Sequence, residues 1–251
     1  MIGNTLQGKR FLVTGGARRI GRAICLRLAA AGAQVVVHYR NSRNEAEELR
    51  RELEAFCSDH EKVQCELTVR KEREQLIPWL IRNGSPLDGL INNASMYSRA
   101  RLADCEPDAV QNDYAVNFHA PFQLMRDFKH HCGRGTIINM LDQRVHLVDP
   151  GAGSYGLAKK SLRDATEATA GEWAPNIRVN AVAPGFVLPP PGVDPAKMDG
   201  LLEEIPMQMQ TSPEEVAEAV YFLTNAETIT GEILFVDGGM HLGGPAAQEK
   251  Q

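Results

Sequence analysis

Several things are missing from this 251-residue chain, and each absence removes a class of protein. No stretch approaches the roughly 20 uninterrupted apolar residues that a membrane span needs. No apolar leader opens the sequence, and the five cysteines (Cys25, Cys57, Cys65, Cys105, Cys132) are odd in number and contain no C-x-x-C pair. A cytoplasmic protein with reduced thiols is the expectation. The histidines His119, His130, His131 and His146 have no metal-ligand spacing, so no metal is expected. A net charge of −5 argues against a general nucleic-acid surface. There is no internal repeat and no low-complexity linker. What remains is ordinary globular composition, 43% hydrophobic and 24% charged.

What is present alternates. Lys9–Gly15 reads as a short buried strand, Arg19–Ala31 as a helix with Ile20, Ile24, Leu28 and Ala31 on one face, and Ala33–Tyr39 as a β-branched strand. Helix Glu45–Phe56, strand Lys62–Leu67, helix Lys71–Ile81 and strand Leu87–Asn93 continue the pattern. One long helical region, Pro107–His130, precedes strand Gly135–Met140; helix Tyr155–Trp173, strand Ile177–Val182, helix Glu214–Leu223 and strand Glu232–Val236 complete it. Repeated β-then-α order with continuously apolar strands predicts a single Rossmann-type α/β domain over 1–243, a doubly wound parallel sheet with helices on both faces. The proline-rich stretch Phe186–Pro206 reads as a loop over the site, and 244–251 as a disordered tail.

Thr14-Gly15-Gly16-Ala17-Arg18-Arg19-Ile20-Gly21 stands between the first strand and first helix, where glycines let backbone amides approach a pyrophosphate. The second strand ends in His38-Tyr39-Arg40-Asn41-Ser42, without the acid that grips an NAD ribose; the nearest acid, Glu45, is already in the next helix. Arg18 and Arg40 could bracket a 2′-phosphate, so the cofactor expected is NADPH/NADP+. Tyr155 and Lys159 are four apart on a helix and share a face. An ammonium beside a phenol lowers its pKa and lets it give up a proton.

With Asn92-Asn93-Ala94, Asn117 and Pro184-Gly185, these motifs resemble the short-chain dehydrogenase/reductase family over about the first 240 residues. The resemblance implies seven parallel strands, hydride from a nicotinamide, a proton from Tyr155, a ribose held by Lys159 and a water-linked relay at Asn117. It also implies a homotetramer built through the long helices Pro107–His130 and Tyr155–Trp173, with the C-terminal strand also at an interface. Its cofactor set covers Gly15, Arg18, Arg19, Ile20, Gly21, His38, Tyr39, Arg40, Asn41, Ser42, Leu67, Asn93, Ala94, Ser95, Tyr155, Lys159, Pro184 and Gly185.

Two departures narrow the reading. Asp142 occupies the position, thirteen before Tyr155, of the family's carbonyl-binding serine. An ionised carboxylate cannot donate to a developing oxyanion, but it suits a C=N substrate whose nitrogen must gain a proton; a protonated carboxyl could relay that proton. Arg19 replaces the middle glycine of the phosphate loop, where a guanidinium can face both pyrophosphate and an electron-rich substrate. Together with His38-Tyr39, Ser42 and Asn93-Ala94-Ser95-x-Tyr97, these departures resemble the pteridine reductase branch, which includes the dihydromonapterin reductases. That resemblance implies substrate contacts at Arg19, Ser95, Tyr97, Asp142 and Tyr155, with Tyr97 stacking the heterocycle. Tyr97 stands where phenylalanine is familiar, and Arg40-Asn41 where His-Arg is. The expectation is a reductase of a dihydropterin or related heterocycle. The alternatives are a carbonyl reductase on the same fold and a dinucleotide-binding regulator without turnover.

Overall fold

The computed structural model describes residues 5–57, 59–97, 99–147, 149–188 and 199–243. Its centre is a seven-stranded sheet in the order β3-β2-β1-β4-β5-β6-β7, with every pairing parallel. The strands are β1 (Arg10–Val13), β2 (Gln34–Tyr39), β3 (Glu61–Gln64), β4 (Gly89–Asn92), β5 (Gly135–Met140), β6 (Ile177–Pro184) and β7 (Ile233–Val236).

Every strand but the polar edge strand β3 feeds two cores, because successive side chains point to opposite faces. Phe11, Val13, Val35, Val37, Ile91 and Ile138 meet helices α1 (Arg19–Ala30), α2 (Arg43–Leu53) and α8 (Pro213–Asn225). Leu12, Val36, Leu90 and Ile137 meet α3 (Arg70–Arg82), α5 (Ala120–Cys132) and α6 (Gly153–Trp173). Strands buried on both sides must be apolar throughout, which explains their unbroken runs.

The expected helix over Pro107–His130 is not one helix. It runs as α4 (Pro107–Tyr114), a wide π turn at Ala115–His119, and α5. The turn carries Asn117, whose amide donates to the Asp113 carbonyl at 3.1 Å and to the Met96 carbonyl at 2.9 Å. The third strand is Glu61–Gln64 rather than Lys62–Leu67, leaving Cys65 to Leu67 to turn toward the site. The loop expected over 186–206 contains a short helix, α7 (Asp199–Leu202); its 189–198 part and the 244–251 tail lie outside the described residues. Among the described residues, no helix is long and apolar enough to cross a membrane, and no cluster of metal-ligating side chains occurs.

Candidate active site

The strand order reverses between β1 and β4, and the carboxyl ends of those strands open a crevice there. Side chains weld the two ends together. Thr14 Oγ1 accepts the amides of Asn93 and Ala94, both at 2.9 Å, and Asn93 Nδ2 returns bonds to the Thr14 and Gly15 carbonyls at 2.9 and 3.0 Å. Helix α1 then presses so close to the loop that a Cβ on Gly21 would stand 2.2 Å from the Gly15 carbonyl oxygen. The N-terminus of α1 has no side-chain cap and no acid in its first turn. Its amides and its dipole therefore face the crevice uncompensated.

Behind the loop lies His38, which is buried. The Gly15 amide donates to His38 Nδ1 at 3.0 Å, which leaves Nε2 to donate to the Cys65 carbonyl at 3.0 Å. Burial pushes the His38 pKa down to about 4. The imidazole is therefore a neutral brace for the loop at neutral pH.

The crevice holds two adjoining clefts. The larger, about 530 Å³, runs from the loop to the ends of β2 and β3 and is lined by Gly15, Arg18, Arg19, Ile20, Gly21, His38, Tyr39, Arg40, Asn41, Ser42, Leu67, Asn93, Ala94 and Ser95. The smaller, about 190 Å³, is lined by Asp142, Tyr155, Lys159, Pro184 and Gly185, and shares Arg19, Ile20, Asn93 and Ser95 with the first. Asn117 and Tyr97 line neither. Asn117 is fully buried and receives the Ser95 hydroxyl at 2.7 Å. Tyr97 sets its ring edge-on to Tyr155, with centroids 4.7 Å apart.

In the smaller cleft the Tyr155 hydroxyl donates to Asp142 Oδ2 at 3.0 Å. The expected lowering of the phenol by Lys159 does not occur. Burial first, and the Asp142 carboxylate second, push the Tyr155 pKa well up, because both disfavour a phenolate. Lys159 instead turns its ammonium to the Met140 carbonyl at 2.7 Å, and burial brings its pKa down to about 8.

Sequence reasoning missed Arg144. It donates from Nη1 to both oxygens of Asp142, at 3.2 and 3.0 Å, and from Nε to Asp149 Oδ2 at 2.7 Å. It also lies over the Tyr97 ring, 5.3 Å from the centroid. Burial opposes its charge, but Asp142 and Asp149 outweigh that and hold the guanidinium above its usual range. Asp142 also caps the turn, accepting the Arg144 amide at 2.9 Å, so an ordinary capping aspartate is part of its role.

The expectation that no acid stands near the end of β2 is also corrected. Glu66 lines the larger cleft and pairs with Arg40, while Arg18 pairs with Glu45. Glu66 is distant in sequence, but β3 lies beside β2 in the sheet and delivers it.

Arg19 holds φ at +54, a left-handed conformation that glycine adopts without steric cost and a residue carrying a Cβ does not. One guanidinium nitrogen donates to the Leu188 carbonyl at 3.2 Å.

A doubly wound α/β protein with a braced glycine loop and a tyrosine–lysine pair at its switch point is thereby defined. Residues 15–241 match a family model described as enoyl-(acyl carrier protein) reductase. The chain is 33% identical over 248 residues to the L-xylulose reductase of Caenorhabditis elegans, covering 92% of this chain and 95% of that one. It is 30% identical over 242 residues to a 3-oxoacyl-(acyl-carrier-protein) reductase of Staphylococcus epidermidis, covering 93% and 99%. Among solved structures, the FolM alternative dihydrofolate reductase 1 of Brucella canis, complexed with NADP, superposes with a TM-score of 0.87 at 32% identity, covering 94% of this chain and 95% of that one. The Brucella suis counterpart, also with NADP, gives 0.89 at 32%, covering 94% and 96%. The chain belongs to the short-chain dehydrogenase/reductase family.

Proposed function

We propose that this protein is an NADPH-dependent reductase of a dihydropterin or a related C=N heterocycle. The observation that carries the substrate class is the Tyr155–Asp142–Arg144 chain, which puts an acceptor carboxylate where a carbonyl reductase needs a donor. The similarity to two alternative dihydrofolate reductases supports it.

The residues present fit the dinucleotide. The uncapped N-terminus of α1 suits a pyrophosphate, and a side chain on Gly15 would put its Cβ 3.0 Å from the Ala94 Cα. Arg18, Arg40, Asn41 and Ser42 would hold the adenosine end, and Lys159 the nicotinamide ribose. When bound, the cofactor supplies a hydride to the carbon of the C=N bond. Tyr155, with Asp142 fixing its hydroxyl, supplies the proton to the nitrogen. Arg19, Ser95 and Tyr97 orient the ring, and Asn117 holds Ser95 in place.

A second reading, reduction of a ketone, is favoured by the L-xylulose and 3-oxoacyl reductase relatives. Consumption of NADPH with dihydrobiopterin, dihydromonapterin and dihydrofolate, beside a panel of ketones and 3-oxoacyl thioesters, separates the two. Dihydropterin turnover lost in Asp142→Ala and in Tyr155→Phe is the expected result. Turnover of carbonyls alone overturns the heterocycle assignment, and no turnover of either panel with intact NADP+ binding favours a regulator.

The same reading carries a cytoplasmic homotetramer joined through α4, α5 and α6. The exposed Leu157 on α6 gives that face an apolar contact, and light scattering returning a monomer would refute the assembly.

A further inference from the structure

Tyr155 and Asp142 meet across a gap between two elements. Asp142 stands just past the end of β5, while Tyr155 is carried by the first turn of α6, thirteen residues later. A 3.0 Å contact between side chains from separate elements holds only if the loop joining them keeps one shape. That loop contains a carboxylate that touches both sides of the gap. Asp149 Oδ2 accepts from Arg144 Nε at 2.7 Å, and Arg144 in turn grips Asp142. Asp149 Oδ1 accepts the Gly151 amide at 2.8 Å, and the Asp149 carbonyl accepts the Ala152 amide at 3.0 Å, at the entrance to α6. The Gly151 carbonyl receives the Ala100 amide at 3.2 Å, so the segment beyond Tyr97 is tied to the same corner.

Arg144 has a long side chain, and its planar fork keeps a fixed aim only when more than one of its nitrogens is held. Nη1 reaches Asp142 and Nε reaches Asp149, so the two acids together fix the plane of the guanidinium. Without Asp149, the bonds from Nη1 alone would let the fork swing about Asp142. Arg144 and Asp149 expose only 25% and 28% of their side chains, so the pair is better shielded than an open surface bridge. Burial alone would raise the Asp149 pKa, but the Arg144 and Gly151 bonds overcome that, the Arg99 charge adds to them, and the carboxyl is held below its usual range. Asp149 lines neither cleft. Its influence on turnover therefore runs through Arg144 or through the backbone of the corner.

We propose that Asp149 is a positioning residue: by holding Arg144 through Nε and the entrance of α6 through Gly151, it sets the register in which Asp142 receives the Tyr155 hydroxyl. The inference rests on the reading of Tyr155 and Asp142 as the proton-delivering pair. Groups that share one network act as a unit, so the losses on removing Asp149 and Arg144 overlap rather than add.

Consumption of NADPH by the purified protein tests this, with whichever of dihydrobiopterin, dihydromonapterin and dihydrofolate the wild type turns over. Asp149→Asn keeps one oxygen for the Gly151 amide and withdraws the acceptor that faces Arg144. Its kcat is expected to fall about fivefold, with KM and the calorimetric NADP+ affinity within about twofold, since the group acts on the proton donor and not on binding. Asp149→Glu restores the second oxygen and should recover part of the loss. In the Arg144→Met background, Asp149→Asn should cost less than about twofold, because the strut then has nothing to hold. An Asp149→Asn enzyme with wild-type kcat, or one whose loss persists undiminished beside Arg144→Met, overturns the inference and leaves the catalytic pair in place. Asp142→Ala in the same series keeps the two failures apart: full turnover without Asp142 overturns the proton-delivery reading and the inference together. A wild type that turns over none of the three substrates does the same.

Discussion

Arg144 donates to both carboxylate oxygens of Asp142, the acid on which the Tyr155 hydroxyl rests. Asp142 Oδ2 thus accepts from the phenol and from the guanidinium at once, so the proton's position depends on a residue that does not line the cleft. Replacing Arg144 by methionine keeps the bulk near Tyr97 and removes the grip. Turnover is expected to fall on the order of tenfold or more, in the range of a lost acid–base contribution, while NADP+ affinity stays within about twofold. Arg144→Lys should recover part of the rate by restoring one charge. The kcat and the calorimetric Kd, measured side by side, check this; parallel losses in both would point to general disruption of the loop.

Lys159 sets a second expectation. Burial lowers its pKa to about 8, so in the enzyme without substrate the ammonium is lost as pH rises through that value. If its charge is needed at the nicotinamide ribose, kcat/KM falls on the alkaline side of about 8, since kcat/KM reports groups of the unliganded enzyme. Lys159→Arg should move that limb beyond the measurable range, because a guanidinium does not deprotonate there. A limb that stays in place in Lys159→Arg assigns it to another group.

Arg19 tests strain against function. A non-glycine residue at φ +54 pays a steric cost of roughly 1–2 kcal/mol that glycine avoids, partly offset by the greater freedom of glycine in the unfolded chain. Arg19→Gly is therefore expected to leave unfolding stability unchanged or raised by up to about 1 kcal/mol. The same change removes a cation from both clefts and should weaken NADP+ about tenfold, the scale of one charge-assisted hydrogen bond. Urea unfolding and calorimetry on one preparation give both numbers, and a variant that is both unstable and non-binding would contradict the account.

His38 makes the phosphate loop acid-sensitive. Its pKa falls from 6.5 when unfolded to about 4 when folded, so between those values the unfolded chain binds more protons and stability drops as pH falls. The contribution is complete above about 6.5 and is lost by about 4, and it amounts to roughly 3 kcal/mol. Protonation at Nδ1 would also forfeit the bond from the Gly15 amide. Unfolding free energies across that window should fall less steeply in His38→Gln than in the wild type; equal slopes would assign the acid loss elsewhere.

Much of the architecture is legible in the sequence because a parallel strand covered on both faces has no polar side to show. Val35, Val36 and Val37 divide between the two cores, and the unbroken run is the signature of that. The glycine loop and the Tyr155–Lys159 spacing are equally local, and both sit where a strand-then-helix pattern puts them. What was not legible depends on distance in sequence or on backbone irregularity. Glu66 reaches Arg40 only because β3 is the neighbour of β2, a fact of strand order rather than of any motif. Arg144 folds back on Asp142 through a tight turn that periodicity does not register. The interruption at Ala115–His119 is invisible because every residue in it is compatible with a helix.

That wide turn amounts to one residue inserted in an otherwise continuous helix. Everything after it is rotated by about 100° relative to an uninterrupted α-helix. The face by which α4 meets α6 and the face by which α5 buries Leu124 and Phe128 are consequently out of step in sequence, with Asn117 at the phase change. A single-residue deletion within Ala115–His119 would therefore not merely shorten the segment. It would force a choice between the packing of α5 and the aim of the Asn117 amide, so this stretch should tolerate substitutions at its surface far better than any change in its length.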